Sequence, residues 1–188
     1  MPSQFVPYPL VPYTISSTRK VLMTNIARRF VLVRSVLARS LLFEPYVVHD
    51  GQRPDLVAQD YYDDATLDWL VMMSNQVFHP QFEWYMGYQD FIAFIIGKYG
   101  DLATAHQTVH HYEKQMTDPY IIGGQTTVPI WMTVDSTTYH ATPEDHRKQV
   151  SCFEFEDLEN KKRQKIQLVH KSFVGQILEE LKTVLVNA

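Results

Sequence analysis

Apolar residues fall at helical spacing in three internal stretches of this chain. Leu56, Val57 and Tyr61 share one side of a segment from about 54 to 61, and Pro54 suits its first helical position. Leu67, Leu70, Val71 and Ser74 follow at i, i+3, i+4 and i+7 in a segment from about 65 to 74. Trp69 and Met73 add a second strip to that helix. A helix apolar on two strips is buried on two sides, so one side faces its partner helix and the other needs another domain or another chain. Asp63-Asp64 breaks the first helix and caps the second, and His79-Pro80 ends the region. Phe91, Ile92, Ile95, Ile96 and Tyr99 form one face of a third helix, Tyr88 to Tyr99, stopped by Gly100-Asp101.

Elsewhere the period changes. Leu41 to His49 reads as a strand, interrupted by Pro45 and ended by the turn signal Asp50-Gly51. Residues 107–140 are rich in Thr, Val, Tyr and His. Gly123-Gly124, Pro129 and Asp135-Ser136 stand there as turns, which predicts a small antiparallel meander. A charged helix follows at about 154–163, then Lys165-Ile166-Gln167-Leu168 alternates as a strand. Ser172 caps a last helix to about Val186, with Phe173, Ile177, Leu181 and Val184 at helical spacing. At the start, residues 1–15 are rich in Pro and aromatics, which predicts an extended arm of polyproline character. An arm carrying Phe5, Tyr8, Leu10 and Tyr13 is expected to lie on its own domain or on a neighbour. Met23 to Phe30 reads as a capped helical turn, with Thr24 or Asn25 as N-cap, and Phe30 to Leu42 fits helix or strand equally. No internal repeat or low-complexity tract is present.

Composition narrows the function class. A chain of 188 residues is one domain or two small ones. Its formal charge of -4 argues against a nucleic-acid footprint, which needs a basic face. One cysteine, Cys152, excludes an internal disulfide and fits a reducing compartment. Pro2, Pro7, Pro9 and Pro12, with no basic start, argue against a signal peptide. Arg28, Arg29, Arg34 and Arg39 interrupt the most apolar zone, so no membrane helix is expected there. From these features a protein made and used in the cytoplasm is expected. Aromatics make up 13% of the chain, a share that suits a core and also interfaces, where Tyr and Trp are enriched.

Candidate chemistry is thin. His106 and His110 are four apart, but in a strand that spacing spans about 13 Å, too far to chelate one ion. His110 and His111 would then point to opposite faces. No Cys pair or carboxylate completes a metal site, so no metal or cofactor is expected. Cys152 with His146 lacks any sign of an activated thiol and reads as a small buried residue. Asp60, Asp63, Asp64 and Glu83 read as loop and cap residues rather than a glycosidase pair. Gly123-Gly124 reads as a hairpin turn and not a phosphate loop. Lys161-Lys162-Arg163 reads as a solvated helix face, with a contact to an acidic partner as the lesser option.

The order of several short motifs resembles one family. They run from Met23-Thr24-Asn25-Ile26 with Arg28-Arg29-Phe30, through Asp50-Gly51, Arg53-Pro54 and Leu56-Val57-Ala58, to Tyr62, Trp69 and Asn75. Pro80 through Glu83-Trp84, Phe91, Lys98-Tyr99 and His110-His111-Tyr112-Glu113 come next. Glu159-Asn160, Lys162-Arg163, Ile166 and Leu168-Val169 close the series. This series, over about residues 20–185, resembles the baseplate wedge subunits of T-even-type contractile-tailed bacteriophages, the gene-fifty-three family. The turn and helix pair from Asp50 to Asn75 has the layout of a LysM-like unit. The chain departs from the family at Asn160-Lys161-Lys162, where an Asn-Glu pair is expected, and at Met86, where Pro is expected close to Trp84.

The resemblance implies a structural, non-enzymatic component of the virion tail baseplate, assembled in the host cytoplasm. It would clamp neighbouring wedges into a ring of many copies, through contacts with other wedge proteins and without nucleic acid or membrane. The fold expected is α+β: a LysM-like helix pair flanked by strands, a β-meander and a C-terminal helix. Its parts would be an arm at 1–20, a helical domain at 21–104 and a meander with the last helix at 105–188. Trp, Tyr and Arg dominate binding hot spots, so Tyr8, Trp69, Trp84 and Tyr85 are the interface candidates, with Trp69 also reading as a core residue. Two other readings compete: a LysM-type module that binds amino-sugar polymers such as peptidoglycan, and a small metal-dependent hydrolase built on the histidines.

Overall fold

The computed structural model describes residues 8–16, 19–25, 40–119, 121–122, 125–126 and 128–187. The chain is α+β, and its contacts gather into two units, residues 1–85 with 163–188 and residues 86–162. Divisions after 20 and 104 were expected from the sequence. The observed ones differ because a late strand pairs with an early one and carries the C-terminal helix into the first unit.

Unit 1 opens with a hairpin of β1 (Leu10–Ser16) and β2 (Arg19–Thr24). The expected polyproline arm is thus, from Leu10 on, a paired strand. Pro12 is tolerated for a geometric reason. The Asn25 N–H donates to the Pro9 carbonyl at 2.9 Å. Antiparallel alternation then turns the backbone of Leu10, Pro12 and Thr14 away from β2, so the proline removes no bond from the ladder. Met23 and Thr24, expected to open a helical turn, end β2. The rest of that turn, the mixed segment to Arg39, and residues 1–7 lie outside the described residues.

β3 (Phe43–Val47) leads through a turn with Gly51 at φ +69° to α1 (Pro54–Tyr62). Gly, with no Cβ, adopts that φ at no steric cost. Asp63, at φ 61°, closes α1. Asp64 then caps a short 3-10 turn, accepting from the Thr66 N–H, and the turn runs into α2 (Asp68–Ser74). After α3 (Pro80–Glu83) the chain leaves unit 1 and returns with β9 (Lys165–Val169) and α8 (Lys171–Asn187). β9 pairs antiparallel with β3, from Phe43 opposite Val169 to Val47 opposite Lys165. Along the chain the order is therefore strand, helix, helix, strand, with α3 and unit 2 inserted before the last strand.

Asn75 explains how Pro45 fits this sheet. Its Nδ2 donates to the Gln167 carbonyl and its Oδ1 accepts from the Gln167 N–H, both at 2.8 Å. Gln167 therefore turns its backbone away from β3. Its partner Pro45 sits at a position without ladder bonds, where the missing N–H costs nothing. The core gathers Val48, Val57, Ala58, Leu67, Trp69, Leu70, Val71 and Trp84 with Ile166, Leu168, Val169 and Leu181. Two expectations change here. Leu56 is exposed, because Val57, Ala58 and Tyr61 set the buried face and Leu56 lies about 100° round the helix from Val57. The second strip of α2 needs no other chain, since the cluster that buries Trp69 includes residues of β9 and α8.

Unit 2 begins with α4 (Tyr88–Tyr99) and α5 (Leu102–Gln107), the latter capped by Asp101. Strands β4 (Val109–Gln115), β7 (Trp131–Val134) and β8 (Arg147–Ser151) form an antiparallel sheet in the order β7-β4-β8. β5 (Ile121–Ile122) and β6 (Gln125–Thr126) pair as a small ladder; Gly123-Gly124 between them lies outside the described residues. The expected meander is corrected at three places. Gln107 ends a helix. Asp135 caps α6 (Ser136–Ala141), accepting from the Thr138 N–H at 3.0 Å, instead of making a turn. The third strand, β8, comes from beyond residue 140. α7 (Cys152–Gln164) follows, its last two residues belonging to unit 1. Phe91, Ile95 and Ala105 form the core of unit 2, with Tyr99 and Phe153 packed against them, while Ile96 is exposed.

Candidate interaction surfaces

The two tryptophans singled out from the sequence are buried in unit 1: Trp69 is 5% exposed and Trp84 8%. The Trp84 indole N–H donates to the Gln52 carbonyl at 2.8 Å. Gln52 is itself a buried hub. Its amide nitrogen donates to Asp60 Oδ2 at 2.7 Å and to the Tyr46 hydroxyl at 3.0 Å, and its Oε1 accepts from the His49 N–H at 3.0 Å. Trp84 is therefore held where α3 ends against the turn before α1. Tyr8 and Tyr85 are half-buried and pack against the same core.

The exposed apolar side chains lie elsewhere. In unit 1 they include Leu10, Tyr13, Leu22 and Met23 on the hairpin and Phe78 and Phe82 around α3, with Phe82 at 74% exposure. Glu83 fixes that four-residue helix by accepting from the N–H groups of Phe78 at 2.7 Å and His79 at 2.9 Å. Those two donors hold the Glu83 carboxyl below its usual range, the His79 N–H first. In unit 2, Val128, Ile130 and Met132 stand exposed before and along β7. Sequence reasoning marked Leu10 and Tyr13 as residues of a contact-making arm and passed over Phe78, Phe82, Val128, Ile130 and Met132. The available signal was length: a four-residue helix, or a strand of four, has too little surface to bury every apolar side chain it carries.

Each unit has a groove. That of unit 1 encloses about 540 Å³ between the turn before α1, α2 and α3; Arg53, Pro54, Asp68, Met72, Pro80 and Trp84 line it. Arg53 pairs with Asp55 at 2.7 Å. Burial, and then the Asp55 charge, push the Asp68 carboxyl up. That of unit 2 encloses about 430 Å³ between β4, β8 and α7. On its floor Glu113 meets His111 Nε2 at 3.2 Å and Lys148 Nζ at 2.7 Å, the latter an ionic contact without hydrogen-bond geometry. Burial pushes the Glu113 carboxyl up, but Lys148 and His111 together hold it below its usual range. Lys148 also lies 4.5 Å from the Trp131 ring centre, a cation–π contact. This network spends its charges on one another.

The residues weighed for catalysis are not brought together. Among the described residues no group of three His, Cys, Asp or Glu could hold a metal ion. His106 stacks on Phe153 and His110 on Phe155. His110 and His111 do not point to opposite faces. The register shifts between Val109 and His111, and this bulge brings the two Nδ1 atoms to 2.8 Å. Cys152 is buried, and His146 lies against Asp118 and Asp145. Asp60 holds Gln52, Asp64 caps a helix and Glu83 closes α3. Lys161 and Lys162 are exposed and pair with Asp157 and Glu159 of their own helix. Among the described residues no helix is long and apolar enough to cross a membrane.

Comparison with protein families finds one whose description is base plate wedge protein 53, of phages, matched over residues 10–184. No curated protein matches the chain.

Proposed function

The chain belongs to the base plate wedge protein 53 family, and we propose that within the tail baseplate it acts as a clamp between neighbouring wedges. Membership makes it a structural component of the phage baseplate that assembles with other baseplate proteins. Clamping is the finer reading. The observation that carries it is the separation of sticky surfaces. Phe78 and Phe82 in unit 1, the β1–β2 hairpin, and Val128, Ile130 and Met132 in unit 2 are exposed and lie on different elements. A subunit that joins several neighbours needs several such surfaces, where an enzyme needs one cleft with converging polar groups. The reading extends to multiple copies in a ring, put together in the host cytoplasm. Tyr8 and Tyr85 remain contact residues in this proposal, and Trp69 and Trp84 act from beneath, by holding the surface in shape.

The test is composition. Tail particles are purified from the source phage and this chain is quantified by mass spectrometry against the other baseplate proteins. A fixed ratio to the wedge proteins, with cross-links to chains of two adjacent wedges, is the expected result. Cross-links confined to one wedge would remove the clamp and leave a wedge component.

A second reading is glycan binding by a LysM-like unit. The strand-helix-helix-strand order of β3, α1, α2 and β9 supports it, as does the groove before α1. Retention of the purified chain on insoluble peptidoglycan would favour that reading; passage into the wash would end it.

A further inference from the structure

Among the described elements, the strands of the β1–β2 hairpin pair chiefly with each other. Tyr8, just before the hairpin, packs on the core. Val11 is opposite Met23 and Tyr13 opposite Val21, so these four side chains share one face and none of them is polar apart from the tyrosine hydroxyl. Tyr13 is 59% exposed, and Val11 and Met23 are exposed with it. A two-stranded ribbon is at best marginally stable alone in water, and an apolar face of this kind on a monomer marks a contact.

Charge indicates what covers that face. The charged residues of the first 43 are Arg19, Lys20, Arg28, Arg29, Arg34 and Arg39, all basic, while every one of the 21 acidic residues lies at Glu44 or later. Within the hairpin, Arg19 and Lys20 sit exposed at the turn end and make no ion pair among the described residues. Pro12 also decides how the contact is made. It faces the outer edge of β1 and interrupts the row of donors there, which disfavours addition of a strand to that edge. The contact must run through side chains.

We propose that the β1–β2 hairpin is a docking finger whose Val11, Tyr13, Val21 and Met23 face is covered, in the baseplate, by a different baseplate chain that presents an apolar patch rimmed with Asp or Glu. The proposal rests on the baseplate reading above and adds the partner's chemistry. The apolar face supplies the buried area, and Arg19 and Lys20 steer and orient it against the acidic rim.

The experiment supplies two variants in trans during infection with phage that lack this chain. In the first, Tyr13 is replaced by a photo-crosslinking benzoylphenylalanine, and purified baseplates are irradiated and mapped by mass spectrometry. The expected cross-link joins position 13 to another baseplate protein, within a few residues of an apolar side chain and an Asp or Glu. A cross-link into this chain itself, from the same or a second copy, overturns the proposal. So does one into a basic segment, or none at all from baseplates that contain the chain in full. The second variant is Arg19→Glu with Lys20→Glu. It should lower incorporation into baseplates about tenfold, equal to one decade of affinity, and leave the melting temperature of the isolated chain unchanged. Unchanged incorporation overturns the proposal. If the wild-type chain is absent from baseplates altogether, the clamp and the docking finger both fall, an outcome distinct from a silent hairpin on a chain that is present.

Discussion

Two asparagines do the same work in the two units. Asn75 spans the N–H and C=O of Gln167 in unit 1, and Asn160 spans the N–H and C=O of Met86, at 2.8 and 2.9 Å, in unit 2. A carboxamide is the one side chain with a donor and an acceptor spaced like a strand's own backbone. Asn160 is buried, so its removal leaves two Met86 groups without partners, at about 1–3 kcal/mol each before relaxation. Asn160→Ala should lower the thermal midpoint by several degrees. Asn160→Asp should do the same, because it sets a carboxylate oxygen against the Met86 carbonyl. Differential scanning calorimetry decides, and an unchanged midpoint for the aspartate variant would show that water serves Met86 equally well. Trp84 belongs to the same scale. The sequence marked it as an interface ring; its burial and its bond to Gln52 change the expectation. Trp84→Ala should destabilise the isolated chain by about 3–5 kcal/mol, as for other buried aromatics. A variant with a wild-type melting curve and a loss confined to assembly would restore the ring to the interface.

Elements were legible where a cap and a period coincided. Tyr88 to Tyr99 could be delimited because Gly100 and Asp101 follow five apolar residues at helical spacing. α6 could not, since Ser136 to Ala141 carries no apolar face to announce it and depends on Asp135 as cap. Partner choice among strands had no local signal: β3 and β9 are distant in the chain, and the bonds of Ser74 and Asn75 to the Gln167 backbone, with the buried Ile166, Leu168 and Val169, tie β9 to α2. The caps also govern acid behaviour. Asp64, Asp101 and Asp135 each accept from a threonine, Asp64 chiefly from the Thr66 hydroxyl and the other two chiefly from the backbone N–H of Thr104 and Thr138. All three carboxyls are held below their usual range. A carboxyl lowered on folding stabilises the fold fully above its unfolded value, about 4, and that contribution disappears as pH falls through the lower folded values. Stability should therefore drop as pH falls below about 4. Converting all three to Asn keeps the cap acceptor and removes the titration. Urea unfolding at pH 7 and pH 3 should show a smaller pH difference for the triple variant than for the wild-type chain. Equal differences would place the acid sensitivity in other carboxylates, such as Glu83 or Glu113.

At the scale of the molecule, the decisive feature is that unit 1 is discontinuous. Its helix pair lies at 54–74, but the strand that completes the sheet and the helix that covers the core arrive only after residue 162. Sequence spacing placed all these elements and still drew the boundary at 104, because periodicity reports faces and says nothing about which distant face meets which. The arrangement makes a strong prediction about truncation. A chain ending at Lys162 keeps α1, α2, Trp69 and Trp84, everything that gave the region its LysM-like appearance in the sequence. It loses Ile166, Leu168, Val169 and Leu181 from the core, Gln167 as the partner of Asn75, and the Val169 carbonyl that accepts from the Tyr62 hydroxyl at 2.9 Å. Four lost apolar side chains, at roughly 1.5–3 kcal/mol each for full burial, are comparable with the whole stability of an ordinary domain, about 5–15 kcal/mol. The truncated chain should therefore lose the near-ultraviolet dichroism of the unit 1 aromatics, while the Phe91, Ile95 and Ala105 core of unit 2 still protects its amides from hydrogen exchange. Retained exchange protection across residues 54–74 in that chain would mean that the helix pair folds without β9, and that unit 1 is a module to which the C-terminus is merely attached.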